Sequence, residues 1–473
     1  MVFSSETFLF LYLPLFLAVY YLTPFRFRSV VILIGSYIFY GWWRLDFLGL
    51  LFLTTVWTYI FGRRIGAATT ARAAKTHLVI GLVGCLGVLA VFKYLNFFID
   101  SFAMLWGRTP EELGVHWRLI LPIGISFYVF HAVSYLVDVY RKDAVATARF
   151  FDFAAFIALF PQLVAGPILR FKDLTGQFAY RVHSVDLFVQ GTTIFAIGLA
   201  KKVLLADTVA PLANLAFDTP DPSLTLSWLG SVAYMIQLYF DFSGYSDMAI
   251  GLGLMIGFHF RPNFDMPYIS RSITEFWRRW HISLSVWLRD YLYIPLGGNR
   301  KGNARTYVNL MLVMLLGGLW HGANWTFVLW GLWHGGWLAY ERATGRAKAA
   351  DVAGLISTLL AVLIGWVMFR AADVTEALEV YGGMLGLNGI SPSPEIALAI
   401  TTESLLFLLL GVAVAACEPW LNRIAATRLH PAPDGALTLL NAAVPSVLVV
   451  ALGVVSIMKL AEQSFSPFLY FQF

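Results

Sequence analysis

The sequence predicts an all-α polytopic membrane protein of about ten to twelve transmembrane helices, with short re-entrant or interfacial helices between them. Three observations predict it. Of 473 residues, 59% are apolar and 13% are charged, against about 25% charged in soluble domains. Apolar runs recur along the whole chain, at residues 8 to 23, 30 to 41, 47 to 61, 78 to 99, 119 to 137, 187 to 205, 226 to 240, 308 to 338, 352 to 369, 404 to 417 and 436 to 458. The apolar/polar alternation of a transmembrane barrel is absent, and backbone groups cannot go unpaired in hydrocarbon, so helices are the remaining form.

The first run follows "MVFSSETF", which has neither a basic start nor a small-residue cleavage site, and it leads into further spans. It is expected to be a retained helix and not a removed signal peptide. Residues 61 to 77 carry four basic residues and no acid, which places them on the cytoplasmic side, where Lys and Arg of short loops collect. Residues 270 to 305 hold seven basic residues against Glu275 and Asp290 and are placed there too. The stretches 217 to 223 and 371 to 403 carry acids and no base and should face outward. Residues 141 to 183 are expected to stay near the cytoplasmic surface, their inner part "FAAFIALFPQLVAGPI" being short and broken by Pro161, Gly166 and Pro167. Lys201 and Lys202 fall late in a span that should end outside, in conflict with the charge rule.

Cys85 and Cys417 sit in or beside apolar segments and read as small buried residues, with no metal or disulfide spacing. The net charge of +5 is spread over membrane loops and speaks to orientation, not to nucleic acid. No internal repeat, long linker or soluble domain stands out, so residues 1 to 473 are expected to form a single integral membrane domain.

Three stretches carry candidate chemistry. "GGLWHGANWTFVLWGLWHGG", residues 317 to 336, sets two histidines, one asparagine and four tryptophans in apolar sequence. The run from Arg305 to Glu341 is about 34 residues, too long for one crossing of a core of about 30 Å and short of the roughly 40 that two crossings need. Both flanks are basic, so the run is expected to turn inside the membrane as a shallow hairpin. The break would fall at Gly317, Gly318 and Gly322, leaving His321 and Asn324 deep. Burial would keep His321 neutral and fit it as a general base; the alternative is a histidine satisfied between helices by tryptophan indoles such as that of Trp320. His334, closer to the basic exit, reads as structural.

In "FWRRWHISLSVWLRDYLYIPLGGNR", residues 276 to 300, Trp277, Trp280 and Trp287 interleave with Arg278, Arg279 and Arg289, and His281 follows the arginine pair. This is either an interfacial aromatic and basic belt or a site for an anionic ligand such as the phosphates of coenzyme A. In "QLYFDFSGYSDMAIGLG", residues 237 to 253, Asp241, Tyr245 and Asp247 lie in apolar context, where carboxylates must be paired or wet. They either line a polar cavity or lock helices together. No HExxH, CxxC or GxSxG pattern occurs, so neither a metal nor a serine nucleophile is expected.

Taken together, these stretches, with the opening "MVFSSETFLFLYLPL" and the ending "PFLYFQF", make the chain resemble the membrane-bound O-acyltransferase family over its whole length, within it the branch serving alginate O-acetylation. The resemblance implies a multi-helix funnel or tunnel in the bacterial inner membrane, with the family's histidines falling on His321 and His281. It implies transfer of an acetyl group from a cytoplasmic thioester, acetyl-CoA or an acyl carrier, to a hydroxyl acceptor outside, with no permanently bound cofactor. Residues Trp277, Arg278, Arg279 and Trp280 would receive the donor. His321, His281 and Asn324 would act on the reacting groups, with Asn324 or an indole as oxyanion donor, and Trp320, Asp241, Tyr245 and Asp247 would line the cavity. A periplasmic acetyltransferase partner and a polysaccharide acceptor are implied, since the chain has no soluble domain to handle a glycan. Alginate, cellulose and peptidoglycan, and teichoic acid as a D-alanyl acceptor, are all admitted. The rival classes are a proton-coupled transporter of an acyl donor or glycan precursor and a membrane anchor for a polysaccharide machine.

Overall fold

The structure is a computed structural model that describes residues 1–348, 350–429, 437–462 and 468–469, without the side chains of 422–446. Of the ending "PFLYFQF" only Phe468 and Leu469 therefore fall within the described residues. All regular structure among these residues is helical. The chain forms two compact units, residues 1–191 with 252–261, and residues 192–251 with 262–473.

In the first unit, a π-helical turn at Thr7–Tyr12 runs into α1 (Leu13–Leu22), followed by α2 (Arg28–Gly41), α3 (Asp46–Gly66), α4 (Ala71–Leu89), α5 (Leu95–Leu105) and α6 (Ile125–Arg141). Helices α3, α4 and α6 pack on one another. The predicted break in the 141 to 183 region is real: the segment folds as three short helices, α7 (Phe150–Ala158), α8 (Phe160–Leu163) and α9 (Phe171–Ala179). Its centre, residues 153 to 171, is buried within the unit. Irregular backbone there needs partners, and α6 supplies them. His131 Nε2 accepts from Leu169 N at 3.4 Å, Ser134 Oγ from Phe171 N at 3.3 Å, and an Asp138 carboxylate oxygen from Lys172 N at 3.2 Å. The spacing i, i+3, i+7 puts all three on one helix face.

In the second unit, α10 (Val185–Ala200) continues through a π turn (Lys201–Ala206) into α11 (Asp207–Phe217), and α12 (Leu224–Met255) follows. The two lysines that conflict with the charge rule prove to be interior cations. Lys202 Nζ lies 2.6 Å from Asp207 and 2.7 Å from Asp241, and Lys201 Nζ 2.8 Å from Asp247. Charges neutralised this way say nothing about which side a loop faces. Next come α13 (Ile273–Arg279), α14 (Ile282–Leu288), α15 (Asn303–His321), α16 (Trp325–Thr344), α17 (Val352–Arg370), α18 (Val374–Met384), α19 (Pro394–Ala399), α20 (Thr402–Leu429) and α21 (Leu437–Glu462).

Helices α15 and α16 form an antiparallel hairpin, but not a shallow one. Arg305, Glu341 and Arg342, taken from the sequence as flanks, lie inside the helices, whose 19 and 20 residues give each arm about 28 to 30 Å, enough to cross the hydrocarbon. Gly317 and Gly318 stay helical; only Gly322 is in the turn. What the glycines provide is close approach. A Cβ on Gly318 would sit 2.2 Å from the Phe327 carbonyl oxygen, and one on Gly331 2.5 Å from that of Met314, so the two backbones meet where side chains are missing.

By length and composition, three stretches among the described residues are apolar enough to cross a membrane: Ala71–Leu105, Val352–Arg370 and Thr402–Leu421. Other long helices carry polar groups within their length, as α12 does with Asp241 and Asp247 and α15 with Asn309 and His321.

Candidate functional site

Two buried histidines meet in the second unit. His281 is fully buried and His321 nearly so, with ring centroids 6.3 Å apart. His321 is the last residue of α15. Its ring is walled by Trp320 at 5.0 Å, Phe369 at 5.1 Å and Trp330 at 5.3 Å, all edge to face. Trp320 also touches His281, at 6.0 Å, so its indole lies against both imidazoles.

His281 sits at the start of α14 in the left-handed region, φ 43° and ψ 54°. For a residue that carries a Cβ this costs roughly 1–2 kcal/mol, and a neighbouring loop holds it in place. Asn263 O accepts from Ile282 N at 2.9 Å, while Asn263 Oδ1 accepts from Ser283 N at 3.1 Å and Ser283 Oγ at 2.8 Å. The Ser283 amide can only donate, so Oδ1 faces the histidine as an acceptor. His281 Nδ1, 3.2 Å from it, must then carry the proton, which leaves Nε2 as the basic nitrogen.

A cavity of about 280 Å³ reaches His321 and is lined along α15 by Leu310, Val313, Met314 and Gly317. From position 310 to 321 it follows the helix for about 16 Å. Arg278, Arg289, Trp277 and Ser285 are among its other lining residues. Arg278 is exposed and makes no ion pair among the described residues, whereas Arg289 is paired with Asp290 at 2.7 Å. An unpaired guanidinium at a cavity wall is a binding group for an anion.

Not every residue singled out from the sequence comes to this cavity. Trp277 and Arg278 do. Arg279 is engaged by Glu275 at 2.9 Å and Asp265 at 3.2 Å. Trp280 is buried in an aromatic stack with Tyr268, Phe276 and Trp366. Asn324 caps α16: its Oδ1 accepts from Thr326 N at 3.2 Å and its Nδ2 donates to Ala372 O at 2.6 Å, so its oxygen and one of its two N–H groups hold structure. Asp241, besides its ion pair with Lys202, accepts from Leu469 N at 2.9 Å, and Tyr245 stacks on Phe468 at 4.5 Å. Asp241, Tyr245 and Asp247 thus join helices and the chain's later segment. His334 is buried against Trp277 and Trp330, at 5.2 and 5.0 Å. Asn263 and Phe242, whose ring meets His281 at 4.7 Å, had no signal of their own in the sequence.

Helices of this length and hydropathy, with His321 at an apolar cavity, His281 beside it and an arginine in the cavity wall, define a membrane protein with a polar site inside it. The profile of the membrane-bound O-acyltransferase (MBOAT) family matches residues 136–350. "Probable alginate O-acetylase AlgI" of Azotobacter vinelandii is 50% identical over 499 residues, covering all of both chains. The Pseudomonas aeruginosa protein of the same name is 48% identical over 520 residues, again covering both in full. "Peptidoglycan O-acetyltransferase" of Helicobacter pylori is 37% identical over 435 residues, 83% of this chain and 81% of that one. The chain belongs to the membrane-bound O-acyltransferase family and is an acyltransferase.

Proposed function

We propose that this chain is an O-acetyltransferase of the bacterial inner membrane that moves an acetyl group from a cytoplasmic thioester to a hydroxyl acceptor, for O-acetylation of an alginate-like exopolysaccharide. The observation that carries this is the single cavity lined by Arg278, by α15 from Leu310 to Gly317, and by His321. An anionic group of acetyl-CoA or of a carrier's phosphopantetheine binds Arg278, and the extended arm lies along Leu310, Met314 and Gly317. This brings the thioester carbonyl to the imidazoles.

His321 takes the proton of the incoming hydroxyl as its oxygen attacks the thioester carbon. The carbon–sulfur bond breaks, and the imidazolium returns the proton to the departing thiolate, so atoms and charge balance. His281, pinned through Asn263, contributes Nε2 as a fixed acceptor for the hydroxyl. Because the Asn324 amide caps α16, an indole N–H of Trp320 or Trp330 is the better oxyanion donor. A periplasmic partner receives the acetyl group and passes it to the glycan. The names of the 50% and 37% identical relatives, an alginate O-acetylase and a peptidoglycan O-acetyltransferase, support a glycan as the final acceptor.

The test is reconstitution in sealed vesicles with labelled acetyl-CoA outside, comparing wild type with His321→Ala. The expected result is acetyl-CoA cleavage with transfer by the wild type and none by the variant. Unchanged transfer by His321→Ala removes His321 from the chemistry. Uptake of label with the thioester intact favours transport instead.

A further inference from the structure

We propose that the groove between α16 and α17 is a binding site for an anionic phospholipid of the bilayer. The groove encloses about 460 Å³. Its floor is apolar and aromatic: Trp333, Trp337 and Tyr340 follow one another at i, i+4 and i+7 on α16, a single helix face. Arg271 and Arg346 stand in its wall. Aromatic rings beside cations suit the boundary between headgroups and acyl chains.

The charge of the groove is not neutral. Neither Arg271, one of whose guanidinium nitrogens donates to the Ala350 carbonyl, nor Arg346 has an ion pair among the described residues, and both residues are exposed. The one carboxylate in the lining, Glu341, is already spent on other groups. It accepts from the backbone amides of Ile273 and Thr274 and, at 2.7 Å, from Thr274 Oγ1. The groove therefore presents two guanidinium groups above an apolar floor, the complement of a phosphodiester with two acyl chains. Arg271 falls in the 270 to 305 stretch whose charge assigns it to the cytoplasmic side, where anionic headgroups attract basic residues. The apolar floor is what selects a lipid over a free anion, since a phosphate alone leaves Trp337 and Tyr340 unused.

Gly336 gives the means of testing this. It lines the groove, and a Cβ placed on it meets nothing within 4 Å. Leucine at 336 therefore seats its Cβ without a clash at a position that lines the groove, and it favours the helix.

The experiment titrates detergent-purified protein with phosphatidylglycerol, with phosphatidylcholine of the same chains, and with inorganic phosphate, reading retained lipid by mass spectrometry and the melting temperature. Phosphatidylglycerol is expected to be retained and to raise the melting temperature, and phosphatidylcholine to do neither. Gly336→Leu and the double variant Arg271→Gln/Arg346→Gln should each bind phosphatidylglycerol about tenfold more weakly, the equivalent of one lost charge-assisted contact. Equal effects of the two lipids, or undiminished phosphatidylglycerol binding by Gly336→Leu, overturn the proposal. A full effect from inorganic phosphate alone overturns it as well, making the arginines a free-anion site. All readouts are of binding, so they stand whether or not the acetyl-transfer reading holds.

Discussion

Asn263 fixes the tautomer of His281. Its side-chain oxygen is oriented by the Ser283 amide at 3.1 Å, and the imidazole Nδ1 lies 3.2 Å from that same oxygen. A residue 18 positions earlier in the chain thereby decides which nitrogen of a buried histidine is basic.

Asn263→Ala should therefore lower kcat by about a hundredfold, the low end of what a positioned acid or base contributes, while KM for the thioester changes little. The check is steady-state kinetics on purified variant and wild type. An equal loss in KM, with kcat intact, would show that Asn263 serves binding and not the imidazole.

Asn324 should behave as a cap. Replacement by alanine is expected to cost about 1 kcal/mol of stability, seen as a lower melting temperature, with kcat of the folded fraction within a few-fold of wild type. By contrast Trp330→Phe removes an indole N–H next to His321 and should cost about a hundredfold in kcat if that group serves the oxyanion.

The hairpin's backbone contact predicts a contrast between glycines. Gly331→Ala forces a Cβ against the Met314 carbonyl and should destabilise by about 1–3 kcal/mol. Gly87→Ala on α4, where a Cβ meets nothing, should be neutral or stabilise by up to about 1 kcal/mol. Thermal melts of both variants in one detergent decide it.

Lys202, 3% exposed between Asp207 and Asp241, gives a further contrast. Lys202→Met leaves two buried carboxylates without their cation and should cost about 3–5 kcal/mol. The triple variant Lys202→Met/Asp207→Asn/Asp241→Asn should recover much of that loss. If the single variant melts like wild type, the ion pairs do not hold α12 to the preceding π turn.

His183, in the connection before α10, accepts or shares hydrogen bonds with Tyr20 at 2.9 Å and Arg28 at 3.1 Å. Burial first, then the guanidinium groups of Arg28 and Arg181, hold its pKa below the ordinary 6.5. A depressed folded value means that the neutral ring's contribution is complete above about pH 6.5, the unfolded value, and is lost as pH falls through the folded one. The melting temperature should accordingly drop between pH 7.5 and pH 5, and less so in His183→Gln, whose side-chain oxygen still accepts from Arg28. Equal drops in the two proteins would assign the pH dependence to another group.

Helical character and the histidine motifs were legible in the sequence because they rest on composition and on short contiguous stretches. Asn324 reads in the sequence as an oxyanion donor, whereas in the fold it caps α16, its side-chain oxygen accepting from Thr326 N. Other features depend on chain segments that meet only in the fold. Nothing near Asn263 announces that it will support His281, and nothing near Glu341 announces that its carboxylate will receive the amides of Ile273 and Thr274. The glycines at 317, 318 and 322 have one local meaning, weak helix, and a different one once α16 lies against them. Lys202 reads as a loop charge until Asp207 and Asp241 are seen beside it.

Because Gly318 and Gly331 lock α15 to α16, any change in the width of the cavity along α15 has to come from another face of the helix, where Gly317 borders it. A Cβ there would meet only Leu288, at 3.3 Å, so the position works as a gauge: each carbon added to it narrows the passage at the cost of a small shift of one leucine, while the glycine contact between the two helices stays as it is.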